Sequence, residues 1–305
     1  MFAIIGIVVV FGCVVGGYLM EHGNISLLIQ PVELLIIGGA GVGAFIISSP
    51  KSVLSATIKG IASVFKAKDT TKDHFMEILM LMFEFLSVAR REGVIAIEEN
   101  VNRPEQSKIF AKYPYILSDH HLRDFICDNL KAYISGNIDP PEFENLMDID
   151  IEAQHEHAMV APNAVSKVAD GLPALGIVAA VLGVVLTMTK IKEPPEVLGE
   201  SIAAALVGTF LGVLLSYGLV GPIATNLGNR ASAHKNLLHV AKTALLGLGQ
   251  GVPPMLAVEF ARRAIPGPDR PSFEELEEAL NLSKKKRSDS PSKDSNNAGG
   301  NSSKK

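Results

Sequence analysis

The sequence contains no tryptophan and only two cysteines in 305 residues. Tryptophan anchors many spanning helices at the membrane interface, so its absence removes that marker of helix depth. Cys13 lies in an apolar run and Cys127 in a polar segment, which places them on opposite sides of any membrane barrier. The sequence therefore predicts no disulfide bond between them.

Signatures of catalysis and of metal binding are also missing. The chain has neither a glycine-rich phosphate loop nor a GxSxG nucleophile elbow. His155 and His157 are two positions apart, so on a helix their side chains diverge by about 200° and do not share a metal as an i, i+4 pair does. We expect no enzymatic activity, no cofactor, no metal site and no nucleic-acid partner.

Four long apolar runs dominate the chain: residues 1–20, 34–50, 171–189 and 201–221. The last two contain no ionisable side chain, and each is close to the roughly 20 residues that a spanning helix requires. The first lacks the basic start of a secretory signal, so we interpret it as a retained helix. The sequence predicts an all-α integral membrane protein with four transmembrane helices and a large helical cytoplasmic region between the second and third.

The distribution of lysine and arginine gives the expected orientation. Basic residues follow the second and fourth runs: Lys51, Lys59, Lys66, Lys68, Arg230, Lys235 and Lys242. The connector 21–33 has no basic residue, and the connector 190–200 has two lysines against three glutamates. We therefore expect both connectors outside, and both termini in the cytoplasm.

Five segments follow from these boundaries. They are the first two spans (1–50), a cytoplasmic helical domain (51–169), the third and fourth spans (170–223), cytoplasmic C-terminal helices (224–283) and a disordered basic tail (284–305).

Residues 74–89 are apolar enough to be mistaken for a fifth span. Glu77 and Glu84 are seven positions apart and so lie on one helical face, and each charge would cost roughly 2.5–3.5 kcal/mol at mid-membrane. We interpret this segment as an amphipathic cytoplasmic helix whose apolar faces pack against other helices.

Gly93 is expected to end that helix, so that Arg90 and Glu98 lie on either side of a bend. Charged side chains at the end of a helix are commonly only solvated, and their spacing alone does not assign them a binding role. Further helices are expected at 102–110, at 119–135 and, after a break at Pro140 and Pro141, at 142–169.

Pro173 and Pro222 lie near one end of the third and fourth runs, at matching depth near the cytoplasmic mouth. Pro173 stands where a helix could begin, and Pro222 follows Gly221, where a helix could end. Matching depth on adjacent spans also suits a hinge. The residues alone leave both interpretations open.

Small residues spaced four apart indicate close packing between spans. The pairs are Gly12 with Gly16, Gly39 with Gly43, Gly176 with Ala180, Ala179 with Gly183, and Gly208 with Gly212. Thr209 lies within the last pair. Its hydroxyl either lines a polar path or bonds back to its own helix.

Several stretches resemble the MotA family, the stator proteins of the bacterial flagellar motor. They are Arg90 and Glu98 around Gly93, the block DGLPALGIVAAVLGVV at 170–185, the LVGPIA run around Pro222, and GVPPMLAVEFARR at 251–263. The resemblance extends to about residue 265 and includes the predicted order of spans.

The resemblance implies a homo-oligomer, understood as a pentamer, around two copies of MotB in the bacterial cytoplasmic membrane. MotB, which has one span and a peptidoglycan-binding domain, would supply the aspartate that accepts the ion. Pro173 and Pro222 would couple ion binding to movement of the cytoplasmic part. Arg90 and Glu98 would engage opposite charges on the rotor protein FliG.

The same resemblance implies that Ala180, Thr209 and Tyr217 line the ion path. Sodium-driven relatives of the PomA kind carry a threonine where this chain has Ala180, and a hydroxyl is a suitable ligand for a hard cation. Alanine offers none, so protons are the expected ion. The expected function is a proton channel, formed with MotB, that converts ion-motive force into torque on the rotor.

Two other classes share some of these features. ExbB and TolQ energisers of envelope transport have the same pentamer-around-dimer plan, but they have three spans, and the region from Arg90 to Glu98 argues against them. A solute transporter would be expected to carry intramembrane ionisable groups or broken helices with internal symmetry, and neither is evident in the sequence.

Overall fold

The computed structural model describes residues 2–66, 70–136 and 138–288, and within these ranges every regular element is helical. The chain forms two compact units. The first takes its described residues from Met1–Thr70 and Glu152–Lys235, and the second from Thr71–Ile151 and Asn236–Lys305. The all-α prediction is therefore confirmed for the described residues.

The helices follow one another along the chain. The first four are α1 (Phe2–Met20), α2 (Ile25–Leu28), α3 (Pro31–Ser48) and α4 (Lys51–Lys66). The next four are α5 (Lys72–Glu92), α6 (Glu98–Asn102), α7 (Pro114–Ser118) and α8 (His120–Gly136). The last five are α9 (Pro140–Thr189), α10 (Pro195–Leu215), α11 (Gly221–Gly249), α12 (Pro254–Ala264) and α13 (Phe273–Ser288).

Among the described residues, four helical stretches are long and apolar enough to cross a membrane, as the apolar runs predict. They are Phe2–Met20, Ile25–Ser48, Pro140–Thr189 and Pro195–Gly249. The second consists of α2 and α3, so it begins well before residue 34. The third and fourth extend beyond the apolar runs because α9 and α11 each contribute residues to both units.

The expected helix boundaries near residues 140 and 170 are wrong. Pro140 begins α9 instead of preceding it, because the first turn of a helix does not use the amide that proline lacks. The helix then continues for 50 residues, with Pro162 and Pro173 in its interior. Pro173 therefore does not mark the start of a helix.

Pro222 does not end a helix either. A π-helical turn, Ser216–Val220, connects α10 to α11, and Pro222 is the second residue of α11. The amide of Gly221 donates to the carbonyl of Ser216, one residue further back than in an α-helix. This wider turn leads into a proline that cannot donate to the preceding turn.

The helix expected at 102–110 is also wrong. α6 ends at Asn102, and two short 3₁₀ turns follow at Pro104–Gln106 and Phe110–Lys112. Pro104 disfavours helical geometry at the residue before it, and Arg103 has φ −133° and ψ 67°. The Ser107 hydroxyl accepts hydrogen bonds from the backbone amides of Ile109 and Phe110.

In the first unit, α9 and α10 pack backbone to backbone. A methyl group placed on Gly176 would lie 2.8 Å from the carbonyl oxygen of Gly208, and one placed on Gly212 would lie 2.7 Å from the carbonyl oxygen of Leu172. Only glycine permits this approach. The small-residue pairs of α9 and α10 therefore have the predicted role.

The pairs in α1 and α3 form no such contact among the described residues. A methyl group on Gly12, Gly16, Gly39 or Gly43 would meet no atom of the described chain within 4 Å. Instead, α3 contacts α9 at Gly41, where an added methyl group would lie 3.3 Å from Leu172.

The second unit has its core around α5, which confirms the amphipathic interpretation of 74–89. Its largest fully buried side chains are aromatic: Phe75, Phe85, Phe110, Phe125 and Phe143. Glu77 Oε2 accepts a hydrogen bond from the Tyr115 amide at 3.1 Å, and Glu84 pairs with Lys112 at 2.5 Å. The two carboxylates that exclude a fifth span thus hold α7 and the 3₁₀ turn Phe110–Lys112 against α5.

The predicted tail at 284–305 begins within α13, which extends through Ser288. Lysine is a good helix former and is favourable in the last turn of a helix. Residues 289–305 lie outside the described residues.

Candidate functional site

Ala180 and Thr209 lie at the close contact between α9 and α10. A Cβ placed on Gly208 would lie 3.2 Å from the backbone nitrogen of Ala180, and Thr209 follows Gly208 directly. Both Ala180 and Thr209 are half-buried within this chain. The two predicted lining residues are thus neighbours across the contact, with part of their surface available to another chain.

Glu33 approaches the same contact, which the sequence analysis missed. It was assigned to the outer connector 21–33, but it lies in the first turn of α3 and is only 8% exposed. Its Oε2 lies 2.9 Å from the position that a Cβ on Gly208 would take. The available signal was an acid that follows Pro31 at the very start of an apolar run.

Ser216 links the surroundings of the two prolines. Pro173 has no amide hydrogen, so the carbonyl of Ala169, four residues earlier, lacks its usual helical donor. The Ser216 hydroxyl donates to that carbonyl at 2.7 Å, and the bond is buried. Since Ser216 begins the π-helical turn that leads into Pro222, this bond connects the two proline positions.

Tyr217 does not pack inside this chain, where it is 72% exposed. It lines a cavity of about 560 Å³ together with Asp170, Pro222 and polar side chains of α11. The structure therefore brings Tyr217 near Pro222 instead of near Ala180 and Thr209.

Arg90 and Glu98 lie at the surface of the second unit. Gly93 ends α5 with φ +88°, a conformation that favours glycine, and Glu98 begins α6 after a 3₁₀ turn, Val94–Ile97. Both charged side chains are exposed. Among the described residues, neither forms a hydrogen bond or ion pair, so both charges are available to a partner.

A shallow groove of about 410 Å³ lies beside Glu98. Its lining consists of Ile95, Glu98, Glu99, Asn102 and Arg103. Ile95 is 73% exposed and supplies apolar surface among these polar and charged neighbours. Sequence reasoning missed Ile95 because a hydrophobic residue between Gly93 and Glu98 suggests core.

Glu259, within the GVPPMLAVEFARR stretch, binds two arginines. Its Oε2 accepts from Arg262 Nε at 2.7 Å, and its Oε1 accepts from Arg263 Nε at 2.7 Å. The Arg262 guanidinium, assisted by that of Arg263, lowers the pKa of Glu259 to about 2. Arg262 also donates to the Pro271 carbonyl at 2.8 Å. This stretch therefore supports the second unit instead of forming a binding site.

Two family models match successive parts of the chain. The one described as Motility protein A N-terminal matches residues 4–93, and the one described as the MotA/TolQ/ExbB proton channel family matches residues 118–239. The second description includes TolQ and ExbB, whereas the first is specific to motility proteins.

Several relatives match this chain along nearly its full length. Motility protein A of Salmonella typhimurium is 43% identical over 278 residues, which cover 91% of this chain and 94% of the relative. Motility protein A of Escherichia coli is 42% identical over the same coverage. Chemotaxis protein LafT of Vibrio parahaemolyticus is 32% identical over 276 residues, or 90% of this chain and 97% of the relative.

The fold is also found in solved structures. The structure of C. jejuni MotAB matches with a TM-score of 0.74 at 22% identity, covering 89% of this chain and 98% of that one. The flagellar MotAB stator complex from Bacillus subtilis matches with a TM-score of 0.73 at 23% identity, covering 90% and 100%. Sequence identity over nine-tenths of the chain and a shared fold lead to one conclusion: this chain belongs to the motility protein A family.

Proposed function

We propose that the chain is a stator subunit of the bacterial flagellar motor, a multi-pass protein of the cytoplasmic membrane that works with MotB. The observation that carries this proposal is the α9–α10 contact. The apolar stretches of α9 and α10, residues 171–189 and 201–215, contain no charged side chain, approach each other through glycine and leave Ala180 and Thr209 only half-buried. Such a pair suits one wall of an ion path whose other wall, with its titrating aspartate, belongs to the partner.

The conducted ion is a proton. Ala180 contributes no oxygen at the contact, so a metal cation would find few ligands to replace its water there. A proton requires only a carboxylate that can accept it, such as that of the partner's aspartate. The free energy available is about 2.3 kcal/mol per 100 mV for each proton that crosses the membrane.

Coupling of ion uptake to movement takes place around Pro173 and Pro222. The buried bond between the Ser216 hydroxyl and the Ala169 carbonyl supports this assignment, because it joins the turn before Pro222 to the turn that Pro173 alters. A small shift of α9 against α10 would break or restore it. Since α9 and α11 each contribute residues to both units, such a shift can pass along continuous helices.

Arg90 and Glu98 contact the rotor protein FliG. Their exposure supports this role, and Ile95 beside Glu98 adds an apolar anchor to a charged surface. Charge contacts of this kind steer association and weaken as salt screens them. Repeated binding and release during rotation requires contacts that form quickly and are weak enough to break.

The assembly is a ring of these subunits, five in number, around a MotB dimer, with both chain termini and residues 51–169 in the cytoplasm. The exposed apolar side chains of α1, α3 and α10 support contacts with lipid, with further copies and with the partner. The four apolar helices favour a stator over a three-span energiser of the ExbB or TolQ kind.

Deletion and complementation test the proposal. A strain lacking this chain should assemble flagella that do not rotate, and plasmid expression of the chain should restore swimming only when MotB is present. The chain should also copurify with MotB from detergent-solubilised membranes. Normal swimming of the deletion strain, with no second stator set in its genome, would overturn the proposal.

A further inference from the structure

Glu33, in the first turn of α3, has a buried side chain beside α10. The residue is 8% exposed, and its Oε2 has no hydrogen-bond partner among the described residues. We propose that this carboxyl group is a proton-accepting site of this chain, within the ion path and next to the contact that holds Ala180 and Thr209.

Gly208 provides the space for the carboxylate. A Cβ at this position would lie 2.9 Å from Glu33 Oε2 and 3.2 Å from the Cβ of Ala179. The volume that any other residue would fill with its side chain is therefore occupied by the carboxyl group of another helix. Glycine at 208 thus serves both the α9–α10 contact and the placement of Glu33.

The carboxylate lies beside Ala179, ten residues, or about 15 Å, before the end of α9 at Thr189. Because α3 begins only two residues before Glu33, the carboxylate is also close to the first end of α3. An acidic side chain that is buried among apolar spans is costly, and such groups are typical of an ion pathway.

Stabilisation of the N-terminus of α3 does not explain why the Glu33 side chain is buried. A carboxylate in the first turn stabilises a helix by about 0.3–1 kcal/mol even when it is exposed. Burial without a hydrogen-bond partner removes hydration and adds a cost that an exposed acid would avoid. The position beside Gly208 therefore points to a group that changes its protonation state.

The surroundings favour a proton over a metal cation. Ala179, Ala180 and Gly208 provide no side-chain oxygen, whereas a metal cation needs several oxygens to replace its water. A hydronium ion transfers its proton to the carboxylate, which yields a carboxylic acid and water. The reverse transfer, to water or to the partner's carboxylate, regenerates Glu33.

This inference rests on the proposed function, because it needs an ion path shared with MotB. The test is proton flux through the complete complex. The chain is expressed with MotB in cells that lack both, and a fluorescent reporter follows cytoplasmic pH after the medium is acidified. The variants are Glu33→Gln and Glu33→Asp, with Glu196→Gln as the matched control, since Glu196 is an exposed acid in the first turn of α10.

We expect Glu33→Gln to copurify normally with MotB and to lower proton flux per complex about tenfold. Glu33→Asp should give an intermediate flux, and Glu196→Gln should match the wild type. Wild-type flux in Glu33→Gln overturns the inference. If that variant does not assemble, Glu33→Asp decides: reduced flux per assembled complex supports the site, and unchanged flux overturns it. A wild-type complex that carries no proton flux overturns the proposed function itself, and the inference with it.

Discussion

The Ser216 hydroxyl donates a buried 2.7 Å hydrogen bond to the carbonyl of Ala169, the acceptor that Pro173 leaves without its helical donor. The bond joins residues 47 positions apart. It explains how α9 continues through Pro173, and it ties that position to the π-helical turn before Pro222. The two prolines therefore belong to one structural feature.

Replacement of Ser216 by alanine should remove the hydrogen bond that joins the turns around Pro173 and Pro222. Ser216→Ala leaves the Ala169 carbonyl buried and unpaired, at a cost of about 1–3 kcal/mol. We expect a lower melting temperature of the purified complex and slower swimming. Thr225→Ala is the matched control, because the Thr225 hydroxyl is exposed and bonds only to Gly221 of its own helix. An unchanged melting temperature for Ser216→Ala would show that the bond is not needed.

A methyl group at Gly176 should force α9 and α10 apart. Gly176→Ala places that methyl group 2.8 Å from the Gly208 carbonyl oxygen, and overpacking of this kind costs about 1–3 kcal/mol. The yield and melting temperature of the detergent-solubilised complex should both fall. Gly199→Ala, in α10 with no atom of the described chain within 4 Å, should retain both. Equal behaviour of the two variants would contradict the close contact.

Charge reversal at Arg90 should impair motility without loss of stability. Because Arg90 is exposed and forms no hydrogen bond or ion pair among the described residues, Arg90→Glu should change the free energy of unfolding by less than about 0.5 kcal/mol. Swimming speed should nevertheless fall, and fall further when Glu98→Lys is added. Lys108→Glu, another exposed cation of the second unit, serves as control. Wild-type speed in the double variant would remove these residues from the rotor contact.

Glu259 should make the second unit acid-sensitive. Its pKa is lowered from 4.5 to about 2 in the folded chain, so its contribution to stability is complete above about pH 4.5 and is lost as the pH falls toward 2. Thermal unfolding should therefore show Glu259→Gln melting below the wild type by a constant amount near neutral pH. The difference should shrink below about pH 4.5. Glu278→Gln, which changes an exposed acid, should melt like the wild type at every pH. A difference that grows on acidification would contradict this sign.

Local composition was sufficient for several elements. The apolar runs predict all four helices that are long enough to span a membrane, because hydrophobic length is set by residues that are contiguous in the sequence. Gly93 predicts the end of α5, because its φ of +88° suits glycine. Glu77 and Glu84 correctly exclude a fifth span.

Predictions based on proline were less successful. Pro173 was compatible with a helix start, and Pro140 with a break before residue 142. The residue itself specifies only a missing amide and a fixed φ. Whether the helix continues depends on what replaces the lost donor, and at Pro173 this is Ser216, from a helix that the local sequence does not identify.

The apolar helices, the amphipathic α5 and the family follow from the chain's residues alone, since each depends on residues that are adjacent or periodic along it. The burial of Glu33 beside Gly208 and the bond from Ser216 to Ala169 follow instead from the folded arrangement of the helices. Both contacts join segments far apart in the sequence. Their geometry arises from the packing of α3, α9 and α10, which no single segment encodes.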